Sequence, residues 1–239
     1  MTARFVVLER SHPGQVATPR LPRGSAGARA RRLGLVLAAA ALLLACGGKR
    51  TSDGQAPEPE PTLPLPTAGI AGQRVGVYPL TLLTAAEALD WQPYLTARRE
   101  ALDRADSIIG ALLTERSPEV TWVLPSELRR AAARAPGMLT NPDQMGSAIL
   151  RSPGLEQIPD PLRSQMRSLN GVAADRYALV PAALVFTRTP GGRGQAELTL
   201  VMADVRSGLL PWRTVARGEG DDPWEALRVA FKTLTPGLP

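Results

Sequence analysis

Tyr177-Ala178-Leu179-Val180-Pro181-Ala182-Ala183-Leu184-Val185-Phe186-Thr187 is an almost unbroken apolar run, the pattern of a strand covered on both faces. Pro181 has no N–H to give to a ladder, so it predicts a bulge or a locally unpaired position inside that strand. Thr189 to Gly194 (TPGGRG) turns the chain, after which Glu197, Thr199 and Val201 alternate with Leu198, Leu200 and Met202 as far as Asp204. A second turn at Arg206-Ser207-Gly208 leads into Leu210 to Arg217. Together these runs predict an antiparallel meander.

Upstream, Arg74 to Leu80 (RVGVYPL) reads as a short strand closed by its proline, with a loop around Trp91 and Pro93 after it. Leu102, Ala105, Ile109 and Leu112 then recur at helical spacing, while Arg99, Asp103, Arg104 and Asp106 are expected on the solvated flank. Glu100 and Arg104 are four apart in the favourable order for an ion pair. Val120 to Leu124 follows as a second strand, and strand, helix, strand in one unit implies a parallel pair. Ser126 is the expected cap of a helix through Arg129, Arg130 and Arg134, ended by Pro136-Gly137. Asn141-Pro142 and Asp160-Pro161 predict two more helix starts, each with a capping side chain and proline in the first turn. At the C-terminus, Asp222, Pro223 and Glu225 form a capping-box pattern. Trp224, Leu227, Phe231 and Leu234 then share one face, so this helix should pack across the sheet. The expectation is one α/β domain over residues 69–239, a three-layer arrangement with a mixed sheet of about five strands flanked by helices.

This order of elements, with its most specific part in Ala203-Asp204-Val205-Arg206-Ser207-Gly208-Leu209-Leu210-Pro211-Trp212, resembles a known periplasmic domain. It is similar to the α/β domain shared by curli-secretion lipoproteins, lipoprotein activators of peptidoglycan synthases and the amino-terminal domain of TolB. The resemblance spans Arg74 to Leu234, with Pro211 and the long segment Asn141 to Asn170 as departures from the pattern. It implies a fold and an envelope location, and no catalytic residue comes with it.

The N-terminal region points to the same compartment. Arg29, Arg31 and Arg32 precede Leu33 to Ala45, an uncharged segment of 13 residues, which together match an export signal. As a helix that segment would span roughly 20 Å, short of a hydrocarbon core of about 30 Å. Leu43-Leu44-Ala45-Cys46-Gly47 resembles the lipobox of bacterial lipoproteins, in which the cysteine is lipidated and the chain is cut just before it. Leu43 is too large for an ordinary secretory cut. The alternatives are an uncleaved signal anchor or a cysteine without lipid. The stretch ahead of the apolar segment is longer than a signal needs, so a start codon further in is expected. Residues 1–45 are thus read as a removed signal peptide and 46–68 as a tether, with prolines at 57, 59, 61, 64 and 66 favouring an extended polyproline form. Gly47 is not the aspartate that retains enterobacterial lipoproteins in the inner membrane, which favours the outer membrane.

Composition removes several classes of function. The formal charge is +6, but seven of the 28 basic residues and one of the 22 acidic residues precede Cys46, leaving 21 of each in the remainder. Such a balanced chain lacks the cationic surplus that nucleic-acid binding needs. His12 is the only histidine and Cys46 the only cysteine, so processing would leave neither an imidazole nor a free thiol. Serine catalysis needs a nearby base, zinc prefers histidine and thiolate, and the only lysines are Lys49 and Lys232. No cofactor or metal is expected. Gly191-Gly192-Arg193-Gly194 reads as a hairpin tip rather than a phosphate cradle. Asp221-Asp222 reads as a helix cap rather than half of a glycosidase pair. Arg130 and Arg134 share a face, read as solvated surface rather than a phosphate site. Three functions stay open. The first is a non-enzymatic, lipid-anchored adaptor that binds an envelope protein; the others are an oligomeric secretion or pore-associated lipoprotein and a carboxylate-based glycan-acting enzyme.

Overall fold

The computed structural model describes residues 61–236. Leu43, Leu44, Ala45, Cys46 and the first prolines of the expected tether lie outside the described residues. The strands are β1 (Arg74–Val77), β2 (Leu83–Ala85), β3 (Thr121–Val123), β4 (Tyr177–Arg188), β5 (Gly194–Asp204) and β6 (Trp212–Gly220). The helices are α1 (Gln92–Leu95), α2 (Arg98–Arg116), α3 (Pro125–Arg134), α4 (Leu162–Ala173) and α5 (Pro223–Lys232). One mixed sheet runs in the order β3-β1-β4-β5-β6, with β2 also paired to β4. β1 is parallel to both β3 and β4, and β4, β5 and β6 form the antiparallel meander.

Pro181 produces the expected bulge. It pairs with Leu200 while Ala183 pairs with Thr199, so Ala182 is the extra residue of β4. The insertion reverses the alternation of the strand. Leu179 faces one core and Val180 and Ala182 the other, yet beyond the bulge Leu184 and Phe186 return to the first. The bulge also divides the partners of β4, because β1 meets Ala178 and Leu179 whereas β2 meets Leu184 to Phe186. β2 is a sixth strand beyond the expected five. It is only three residues long, and it exists because the edge of β4 past the bulge would otherwise keep open backbone groups.

Apolar residues fill both sides of the sheet. On one side Ala105, Ile109 and Leu112 of α2 and Trp224, Leu227 and Phe231 of α5 pack with Leu179, Leu198 and Leu200. On the other, Leu128 of α3 and Leu162, Met166 and Leu169 of α4 pack with Ala178, Val180 and Val201. Each fully buried large side chain stabilises the fold by about 1.5–3 kcal/mol. The second core also holds a satisfied polar pair: the Tyr78 hydroxyl donates to Asn170 Oδ1 at 2.9 Å, and Asn170 Nδ2 donates to the Asp175 and Tyr177 carbonyls. α5 lies unusually close to β6, since a Cβ at Gly218 would overlap the Ala230 backbone and one at Gly220 that of Ala226.

Local starts and stops differ from expectation at several points. α3 begins at Pro125, one residue before the expected cap Ser126; proline occupies the first turn, where no donor is needed, and Glu127 Oε1 accepts from the Leu124 N–H at 3.5 Å. Asn141 does cap, through Asp143 N–H, but only a short 3₁₀ turn, Pro142–Gln144. Asp160 does not cap α4; the adjoining residue is Pro161, joined to Asp160 by a cis peptide, and the Arg163 N–H goes to the Pro159 carbonyl. The loop around Trp91 contains α1, and Trp91 itself is buried edge-on against Phe186 at 5.4 Å between ring centroids. Arg104 lies over the Trp224 ring at 5.0 Å, where the sequence pattern had paired it with Glu100.

Candidate functional site

After β1 the chain passes to α2 on one side of the sheet, and after β3 it passes to α3 on the other. Diverging connections leave a crevice at the carboxyl ends of adjacent parallel strands. Here the crevice holds a charged cluster. Arg129 of α3 points into it, with Nη2 2.8 Å from Asp106, 2.8 Å from Asp143 and 3.4 Å from Asp103. Its Nε also donates to both oxygens of Asp143, at 3.1 and 3.0 Å. Arg99 closes the group, 3.0 Å from Asp103 and 3.2 Å from Asp143. Cavities of 330 and 560 Å³ lie on either side of Arg129.

Asp106 is the deepest member, with its side chain 6% exposed. Its Oδ1 accepts the Leu80 N–H at 2.8 Å, so one carboxylate ties the exit of β1 to α3. Burial pushes its pKa up to about 6, and the hydrogen bonds from Leu80 and Arg129 only partly oppose that. Asp143 shows the opposite balance. Burial would raise it, but the bonds and charges of Arg129 and Arg99 together outweigh burial and hold it below the usual carboxylate range. Burial likewise disfavours charge on Arg129, yet Asp143 and Asp106 keep it firmly cationic. With arginine contacts on all three aspartates, the cluster is built to clamp α2, α3 and the 141–145 turn together.

Burial of Asp106 corrects the expectation of a solvated flank. A signal for it was present: Asp106 is four residues after Leu102 and three before Ile109, which puts it on the apolar stripe, where a carboxylate needs a partner. That partner could not be read from local spacing, and neither could Asp143.

The other candidate residues take structural roles. Asp222 Oδ1 accepts from the Trp224 and Glu225 N–H groups at the start of α5, as the capping pattern predicts. Asp221 gives its own N–H to Glu225 and lies 3.7 Å from Arg193. Gly191 and Gly192 form the tip of the β4–β5 hairpin. Lys232 ends α5, and Lys49 lies outside the described residues. Among the described residues, no helix is long and apolar enough to cross a membrane, and no group of three or more histidine, cysteine or acidic residues could hold a metal ion.

No family model and no curated protein matches this chain. Solved structures do. The LpoB C-terminal domain of Salmonella enterica is 16% identical, with a TM-score of 0.34, covering 63% of this chain and 85% of that one. LpoB of Escherichia coli is 13% identical, with a TM-score of 0.32, covering 92% and 91%. A PelC dodecamer from Paraburkholderia phytofirmans is 16% identical, with a TM-score of 0.33, covering 75% and 92%. These fall in the group that the sequence resembles. At such identities and scores the likeness carries no reading of function, which rests on this chain's own residues.

Two long strands bear on the pore alternative. β4 and β5 have 12 and 11 residues, but β4 is buried on both faces over most of its length. This hairpin forms the centre of the domain's sheet.

Proposed function

We propose that this chain is a lipid-anchored protein of the cell envelope, facing the periplasm, whose α/β domain acts as a non-enzymatic adaptor for an envelope protein. The observation that carries the proposal is Leu43-Leu44-Ala45-Cys46-Gly47 directly behind a basic cluster and a short apolar segment. Cys46 would carry the lipid and Gly47 favours the outer membrane. From Cys46 to Pro61 is 15 residues, and at about 3.1 Å each an extended proline-rich tether gives the domain a reach of about 45 Å. The folded end of that tether is anchored, because Thr62 Oγ1 donates to the Val215 carbonyl of β6 and the Leu65 N–H to the Leu234 carbonyl. The commitment of Asp222 to a helix cap and of Asp103, Asp106 and Asp143 to arginines supports a binding role over carboxylate catalysis.

Metabolic labelling with an alkyne fatty acid tests the anchor. The wild-type chain should take up label on Cys46 and fractionate with membranes, while Cys46→Ser should remain unlabelled with its uncut signal. Equal labelling of both chains would refute the assignment.

A further inference from the structure

On the α3 and α4 side of the sheet, at the end where β1 and β4 begin, arginines line two neighbouring clefts. Arg74, Arg130 and Arg134 stand around one of 160 Å³, with Glu127 as its carboxylate. Arg167, Arg176 and Arg206 stand around the other, of 500 Å³, with Asp175. The last turn of α4 and the residues after it, 171–175, line both and form the ridge between them. On that ridge Val172 is 66% exposed, among the most exposed large apolar side chains of the described residues.

Some of these cations are engaged within the fold. Arg74 donates to the Ala173 carbonyl at 2.9 Å, Arg130 to the Ser126 carbonyl at 3.3 Å, and Arg176 to Asp204 at 2.9 Å. The side chains of Arg134, Arg167 and Arg206 have no hydrogen bond or ion pair among the described residues. A chain with equal numbers of acidic and basic residues after its signal therefore concentrates unpaired guanidinium groups on one surface.

We propose that this surface docks an acidic segment of an envelope protein. The inference rests on the adaptor reading and names its contact face. An apolar knob with arginines around it has the anatomy of a protein interface, and guanidinium forks fit carboxylates in two-pronged pairs. Clefts on both sides of a ridge admit side chains on their walls. A flat bilayer would touch the ridge and leave those walls unused.

The test places a photo-crosslinking amino acid at position 172 of the full chain in living cells, with a second chain carrying it at exposed Tyr94 on α1. Illumination should give a protein adduct from position 172 whose contact peptide is rich in aspartate and glutamate. A synthetic copy of that peptide should bind the detergent-solubilised full chain, more weakly as salt rises. In Arg134→Glu/Arg167→Glu, binding should fall at least about tenfold, the factor expected from losing one charge-assisted contact. The melting temperature should not change; if reversal lowers it, Arg134→Gln/Arg167→Gln supplies the same comparison. A phospholipid adduct, an adduct to a second copy of the chain, a contact peptide without acidic residues, or undiminished binding in both double variants would overturn the proposal. A protein adduct from position 94 alone would overturn this face and leave the adaptor reading standing. No protein adduct from either position would remove both.

Discussion

Arg129 and Arg130 are neighbours in one short helix and serve opposite ends. Arg129 turns into the crevice, where Asp106, Asp143 and Asp103 surround it. Arg130 turns outward with Arg134, one helical turn on, to a cleft with a single carboxylate. The difference is one of supply. Facing α2 and the 141–145 turn, α3 meets three aspartates; facing α4, it meets the arginine-lined start of the sheet. The first arrangement spends its charge on holding the fold together, and the second leaves charge available to something else.

Breaking the inner arrangement should have the largest effect. Arg129→Ala would leave the buried carboxylate of Asp106 with only the Leu80 N–H, at a cost of about 3 kcal/mol in chemical denaturation near neutral pH. That loss should shrink at acid pH, where Asp106 takes up a proton.

Titration sharpens the same contrast. The pKa of Asp106 is raised to about 6, whereas an unfolded aspartate titrates at about pH 3.9. Between those values the folded chain holds a proton that the unfolded chain has lost. Acidification from neutral pH therefore adds stability from this group, up to about 3 kcal/mol, all of it present once the pH is below the unfolded value. Asp204 behaves in the opposite way. Burial would raise it, but Arg176 and the Ser207 and Arg206 N–H groups hold it at about 2, so its contribution is lost as the pH falls toward that value. Melting temperature against pH should rise on mild acidification in the wild type, and Asp106→Asn should flatten that rise while leaving the fall at lower pH.

The outer arrangement should be nearly silent in stability. Arg134→Ala and Arg167→Ala, singly, should each change unfolding free energy by less than about 0.5 kcal/mol, since neither side chain has a partner among the described residues to lose. A larger loss in denaturant titrations would show that these guanidinium groups do structural work.

Features that rest on neighbours in the chain were legible in the sequence. Pro181 announced the bulge because a missing N–H must be accommodated wherever the strand pairs. Asp222 and Glu225 announced the start of α5, and the spacing of Leu102, Ala105, Ile109 and Leu112 announced α2. β2 was not legible: Leu83-Thr84-Ala85 is too short for a period, and it pairs with the stretch of β4 that lies beyond the end of β1. The crevice was hidden for a related reason. Arg129 is 23 residues from Asp106 and 14 from Asp143, and only tertiary packing brings them together. The clefts are assembled from the start of β1, α3, α4 and the β5–β6 turn, of which local periodicity showed only the shared face of Arg130 and Arg134.

The most direct test of the division is to take Arg129→Ala and Arg134→Glu/Arg167→Glu through two assays side by side, thermal unfolding of the full chain and photo-crosslinking from position 172. The account predicts that Arg129→Ala melts well below the wild type, whereas the double variant melts with the wild type and loses its protein adduct. A double variant that keeps its adduct, or an Arg129→Ala chain that melts with the wild type, would contradict it.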